Sequence, residues 1–346
     1  MKKFLLFGLA LLILGSALFA DDAKVMPGRL GRFYLAPTFI TINKAYDDEG
    51  SREDLDAAIN MFNLGAALEY GIIDWITGAL QWAPGINVWS KVDVDSGDAK
   101  LFDVGDLFLG FKVQLFGASA PVKAEKIRFA LAPGVKIPMP GPDFKKEAKN
   151  MGEGKAFTGG TLDNHSLGVG ARAYFDFIIN DKFFINLYNE TLFYPIKKDI
   201  KKAGVKEYMT LEGVNAAIAP AGSSVKGEVD YGYELTFELE PVFSTPVAEG
   251  MLFTAGLPVN YKTTPGAKYS FSGSGPAGDA GVTNMKGLLP DGDQTHSLTL
   301  TPNAAMFFYG WPLPMEFKLS YTAPLWGQNT SAGHVIGFQV RLYFKI

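Results

Sequence analysis

The chain has no cysteine in its 346 residues, so neither a disulfide framework nor a cysteine metal site is available to it. Without a cysteine it also has no site for an amino-terminal lipid anchor. Histidine is nearly as scarce, with His165, His296 and His334 far apart in the sequence, and no zinc-type spacing exists. After residue 14 no apolar run approaches the roughly 18 to 20 residues of a membrane-spanning helix. A basic excess is missing too: leaving out Lys2 and Lys3 reduces 32 basic residues to 30 against 36 acids, a formal charge of -6. A nucleic-acid partner is therefore not expected.

The first twenty residues read as a secretory signal. Lys2 and Lys3 precede the apolar run Phe4 to Leu14, small residues follow in "GSALFA", and Asp21 and Asp22 come next. Cleavage is expected after Ala20, with Ala17 as the alternative, leaving residues 21–346 as a single domain. An exported chain with no spanning helix can enter a membrane only as a closed barrel, because lipid cannot satisfy an open sheet edge.

What is present fits that solution. The last ten residues, "GFQVRLYFKI", put Phe338, Val340, Leu342, Phe344 and Ile346 on one face, with Gln339, Arg341, Tyr343 and Lys345 on the other. The same period-2 split separates Leu107, Leu109, Phe111, Val113 and Leu115 from Phe108, Gly110, Lys112 and Gln114. It also separates Leu235, Phe237 and Leu239 from Glu234, Thr236, Glu238 and Glu240. Twelve such segments can be counted: 32–42, 61–70, 75–82, 105–116, 126–137, 165–179, 183–195, 231–243, 251–261, 297–309, 314–323 and 334–344. Their connections alternate short and long. The short ones include 71–74, 180–182 and 310–313, and the long ones 43–60, 83–104, 138–164, 196–230 and 262–296. The expected fold is all-β, a transmembrane antiparallel up-and-down β-barrel of about twelve strands. Short turns and both termini face the periplasm. A short helix is expected from Ser51, where Ser-x-x-Asp gives a capping signal, and a mobile stretch at 272–282.

Chemistry-bearing patterns are few. "NHSLG" and "THSLT" place His165 beside Ser166 and His296 beside Ser297, but neighbours on a strand point to opposite faces, so base and nucleophile would be separated. The acidic stretch 47–56 lacks an EF-hand spacing and is read as solvated. Glycine-rich stretches such as "GGTLDNHSLGVG" do not have the context of a phosphate cradle. No enzyme activity, metal or cofactor is expected.

The expected site is the lumen. With apolar positions assigned to lipid, Lys112, Arg128, Lys136, Arg172, Asp176, Glu190, Glu234, Glu238, Glu316, Lys318, Arg341 and Lys345 face inward, together with Phe108, Tyr174, Phe184, Tyr188 and Tyr343. Such charges either cross-link a packed interior or line a path and set its selectivity.

The segments "LEYGIIDWITGALQWAP", "DVGDLFLGFKVQLF" and "FALAPGVKIPMPG" resemble the outer-membrane family named for the meta-pathway of phenol degradation, a relative of FadL-type channels. The matching residues are Tyr70-Gly71, Gly105-Asp106, Leu109-Gly110 with Lys112, and Gly134 to Lys136 with Pro138. The resemblance implies passage of small hydrophobic or aromatic molecules across the outer membrane. The amino-terminal hatch of FadL and its Asn-Pro-Ala signature have no counterpart in Asp21 to Leu30, so passive diffusion is expected instead of plug gating. A surface-exposed structural or adhesion barrel with a closed lumen is the alternative. The expected partners are the lipid bilayer, the outer-membrane assembly machinery and a small apolar solute.

Overall fold

The computed structural model describes residues 22–94, 97–99, 102–141, 162–204, 223–288 and 291–345. The expected signal segment and cleavage site lie outside them. Twelve antiparallel strands make up the wall: β1 (Leu30–Tyr46), β2 (Arg52–Ile73), β3 (Ile76–Val94), β4 (Leu107–Phe116), β5 (Ile127–Ile137), β6 (Gly168–Asn180), β7 (Phe183–Phe193), β8 (Tyr233–Ala248), β9, β10, β11 (Met315–Gln328) and β12 (His334–Lys345). Strand β9 comes in two pieces, Met251–Gly256 and Val259–Thr264, and β10 likewise in Thr295–Leu300 and Asn303–Phe308. The breaks fall at Pro258 and Pro302, which have no N–H to give to the ladder. Backbone bonds from Leu257 to the Pro241 carbonyl (3.2 Å) and from Thr301 to the Pro258 carbonyl (2.9 Å) carry the sheet across them.

Each strand pairs with its neighbours in sequence, and β1 closes on β12 from Leu30 opposite Lys345 to Thr41 opposite His334. That seam removes the open edge that hydrocarbon would not tolerate. Short turns and the β12 terminus lie at one end, assigned to the periplasm, and the long connections lie at the other. At the long-loop end, Lys198–Gly204, Ser224–Asp230 and Lys268–Ser274 form a separate three-stranded sheet, against which helix α1 (Gly278–Leu288) packs.

The two faces sort as the alternation requires. Leu109, Phe111, Phe237, Leu239 and Leu319 are exposed on the outside, while Phe108, Gln114, Glu238 and Arg341 are buried within. The outer face is the apolar belt of a membrane-spanning barrel. Near the seam the Phe344 ring lies so close over Gly31 that a Cβ there would stand 2.3 Å from it. An aromatic ring shielding a glycine beside a seam is a known way of completing a barrel wall.

Three expectations change. Residues 43–60 and 83–104 are not long loops, because β1, β2 and β3 continue well beyond the apolar belt, leaving a tight hairpin at 47–51. Out of the bilayer the outward residues become polar, so the hydrophobic alternation fades while the hydrogen-bonded ladder persists. Arg52 to Ile59 is strand and not helix, because it pairs with Tyr46 to Ile42. Asp47 serves as the local cap instead, accepting from the amides of Glu49 (3.0 Å) and Ser51 (2.7 Å). The stretch 272–282, expected to be mobile, contributes the start of α1 from Gly278.

Placing Leu319→Arg on the lipid face should cost about 2 to 4 kcal/mol of folding stability in vesicles, the usual penalty for such a residue near mid-bilayer. Ala305→Ser, on the lumen side, should stay within about 0.5 kcal/mol. Urea titration of the reconstituted barrel measures both.

Candidate functional site: the lumen

Part of the periplasmic half of the lumen is taken up by the residues that precede β1. Residues 22–29 run inside the barrel before β1, and their backbone is tied to the wall at successive points. The Ala23 amide donates to both carboxylate oxygens of Asp176 on β6 (3.2 and 3.1 Å). Gln114 on β4 donates to the Ala23 carbonyl (3.0 Å), and the Lys112 ammonium donates to the Asp22 carbonyl. Farther along, the Met26 amide meets Thr77 Oγ1 (2.8 Å), the Gly28 amide meets Asp74 Oδ1 (3.0 Å), and the Arg29 amide meets the Gly71 carbonyl (2.8 Å). Ala23 is fully buried in a cluster with Ala130, Ala132, Tyr174 and Tyr188. Gly71 makes room for the passage, since a Cβ there would lie 2.0 Å from the Pro27 carbonyl oxygen. A segment of eight residues thus occupies part of a lumen that the sequence alone left undecided between open and closed.

Around this segment the inward charges are mostly paired. Arg32 meets Glu69 at 2.5 Å, Gln81 donates to Glu69 (3.4 Å) and to Tyr34 (3.3 Å), and Arg172 bridges Gln81 and Glu190. On the other side of the seam Arg341 meets Glu316 at 3.1 Å, and Tyr343 donates to the same carboxylate (2.8 Å). The guanidinium carbons of Arg32 and Arg341 both stand 5.6 Å from the Tyr34 ring, which links the two halves. Cross-strand register produces this belt, because i and i+2 on one strand and their partners on the next project to the same side.

A second layer lies nearer the outer mouth. Lys136 pairs with Asp163, Lys262 with Glu234 at 2.8 Å, and Tyr194 and Asn164 donate to Glu234. Here residues 162–166 fold back into the barrel. Leu162 packs on an inward apolar patch of Ile40, Ile42, Ile59, Met61, Val92 and Val335. His165, its side chain 2% exposed, sits between Asp103 (3.1 Å from Nε2) and Asp106 (3.3 Å from Nδ1). Burial alone would lower its pKa, but the hydrogen bonds to Asp103 and Asp106, with the charge of both, outweigh it and raise the value to about 9. The apolar patch departs from the expected polar interior.

Beside this segment, walled by the first belt of charges, a cavity of about 400 Å³ remains. It collects Lys112, Arg172, Glu316, Lys318, Arg341, Phe108, Tyr174, Phe184 and Tyr343 from the residues named in the sequence. Lys136, Glu190 and Glu234 belong to the layer above. Arg128 lies below, joined to Asp176 at 2.6 Å, and Tyr188 packs on Tyr174 with centroids 5.1 Å apart and the rings tilted by 56°. Glu238 is buried on β8, accepting from Asn260 (3.3 Å). Lys345 is the exception, exposed at the periplasmic end of β12 where the wall runs out.

The His-Ser pairs diverge. His296 projects outward, its Nδ1 2.8 Å from the Tyr261 hydroxyl, while Ser297 is buried on the opposite face. His165 is committed to the two aspartates, and the Ser166 hydroxyl reaches only the Ile196 carbonyl (3.5 Å). Arg32, Glu69 and Gln81 escaped the sequence reading although they share the inward parity of their strands. Lys262 lay one residue beyond the expected end of its segment. Asp103, Asp106 and Asp163 stand outside regular strands, where alternation carries no signal.

No family model and no curated protein sequence matches the chain. Among solved structures it is similar to an outer membrane channel from Pseudomonas putida F1, with a TM-score of 0.61 and 12% identity over 94% of this chain and 99% of that one. A FadL homologue from Pseudomonas aeruginosa (TM-score 0.39, 11% identity, 96% of each chain) and the CymD monoaromatic hydrocarbon channel (0.34, 8%, 93% and 89%) superpose too loosely to add to this. The likeness to the first is one of fold. With the closed wall and apolar belt, it makes the chain a β-barrel of the outer membrane.

Gly71→Ala should push residues 22–29 out of the lumen, seen as faster proteolysis near Lys24 with no loss of barrel migration on unheated gels. The pH response of the mouth has a definite sign. The folded pKa of His165 lies above its unfolded value, so its contribution is complete below about pH 6.5 and is lost as pH rises through about 9. Amide exchange at residues 162–166, corrected for intrinsic rate, should rise across that window, and His165→Gln should abolish the step.

Proposed function

We propose that the barrel is a channel for passive diffusion of small hydrophobic or aromatic solutes, with residues 22–29 as a gate at its periplasmic end. The observation that carries this reading is the cavity of about 400 Å³ that this segment lines together with Arg32, Glu69, Glu316 and Arg341. Ligand cavities of roughly 300 to 1,000 Å³ with mixed apolar and polar walls are the usual size for small molecules. Met26, Val242, Leu252 and Phe307 give this one apolar surface, and Tyr174, Phe184 and Tyr343 add ring faces. The P. putida structure of the same fold is an outer membrane channel, which supports the reading without identifying the solute.

The gate follows from how the segment is held. Its contacts with the wall are chiefly hydrogen bonds of its backbone, and its buried side chains are Ala23 and Met26, so the apolar area lost when it leaves is that of two side chains. Asp176 is the central anchor, because its carboxylate also accepts from Asn186 (2.7 Å) and Arg128. Withdrawal would leave Asp176 with those two partners, so the carboxylate remains compensated in either state.

The paired charges above the cavity favour a second reading, a structural or adhesion barrel with a closed lumen. The two readings separate in one experiment. Cells carrying the intact barrel should take up labelled toluene at least fivefold faster than cells without it, and Gly71→Ala should raise the rate further. Equal rates in all three strains, with the barrel folded in the outer membrane, would retire the channel and leave the closed barrel.

A further inference from the structure

The geometry points to a compact aromatic carboxylate as the ligand of the chamber, with Lys112 and Lys318 as its anion-binding groups. This rests on the channel reading and names its solute class.

The charged groups around the chamber are not equally committed. Arg32 is held by Glu69, Arg341 by Glu316, Arg172 by Glu190, and Lys24 by Asp22 at 3.0 Å. Lys112 and Lys318 differ. The Lys112 ammonium donates to a neutral acceptor, the Asp22 carbonyl, and stands 3.9 Å from the centroid of the Tyr174 ring. Lys318 is half-buried on β11 and makes no hydrogen bond or ion pair with the described residues. The nearby carboxylates on β8 are engaged elsewhere: Glu238 accepts from Asn260, and Glu240 accepts from Asn303 (3.0 Å). Glu238 acts on Lys318 only through space.

An ammonium partly withdrawn from water and lacking a carboxylate partner is under-solvated, and a ligand that brings one gains a charge-assisted hydrogen bond. The two lysines approach the same chamber from strands β4 and β11, with Tyr174 and Phe307 among its walls. A neutral hydrocarbon would use the rings and leave both ammonium groups as they are. A carboxylate on an aromatic body uses both features. Room is sufficient, since a cavity of about 150 Å³ already accommodates benzene.

Benzoate and benzyl alcohol, alike in shape but not in charge, are the test probes on the reconstituted full chain, with binding read as blockade of single-channel current. Benzoate should bind at least tenfold more tightly than benzyl alcohol, and the preference should shrink as salt is raised. Lys318→Gln and Lys112→Gln should each bring the ratio of affinities several-fold closer to one, and Lys318→Arg should restore it if the barrel is intact. Equal binding of the two probes, or a preference that survives both glutamine substitutions, overturns the carboxylate while the channel stands. If neither probe binds the intact chain or Gly71→Ala, and toluene uptake is also absent, the channel reading fails with it.

Discussion

Backbone hydrogen bonds inside hydrocarbon have no substitute, and the closure of β1 on β12 meets that demand. An unpaired N–H or C=O at membrane depth costs several kcal/mol. Twelve strands therefore have to meet in a ring, and a ring of pleated strands gives every residue one of two addresses. The outer address is fixed by lipid. The inner address is free, and its occupants decide what the protein can do.

In this chain the inner address is largely polar, with ion pairs prominent among its occupants. Buried pairs such as Arg32 with Glu69 and Arg341 with Glu316 offset their own desolvation and hold opposite parts of the wall at fixed separation. The same pairs narrow the lumen. What space is left depends on the segment before β1, whose backbone occupies the acceptors and donors that β3, β4 and β6 turn inward. Wall and segment are thus joined by Asp176 and Gln114, residues that would otherwise need water.

The outer mouth follows a different logic. Strands β1 to β3 and β12 turn aliphatic side chains inward above the paired charges, and Leu162 covers them. That patch needs a cover because the strands continue past the bilayer with no partner sheet. His165 between Asp103 and Asp106 fastens the cover by charge. The segment below is held chiefly through its backbone and the cover above through side chains.

Much of this was written in the sequence, and the missing part has two causes. Strand number, direction, the two faces and most lumen residues could be read from Leu109 against Lys112 or Phe237 against Glu238, because lipid enforces period-2 alternation along each strand. The strand ends beyond the bilayer, Arg52 to Ile59 above all, were not legible, since water imposes no such pattern. Nor were the path of residues 22–29, the aspartates around His165 or the space between Lys112 and Lys318. Those depend on which residues meet across the barrel, and curvature sets that only once the ring has closed.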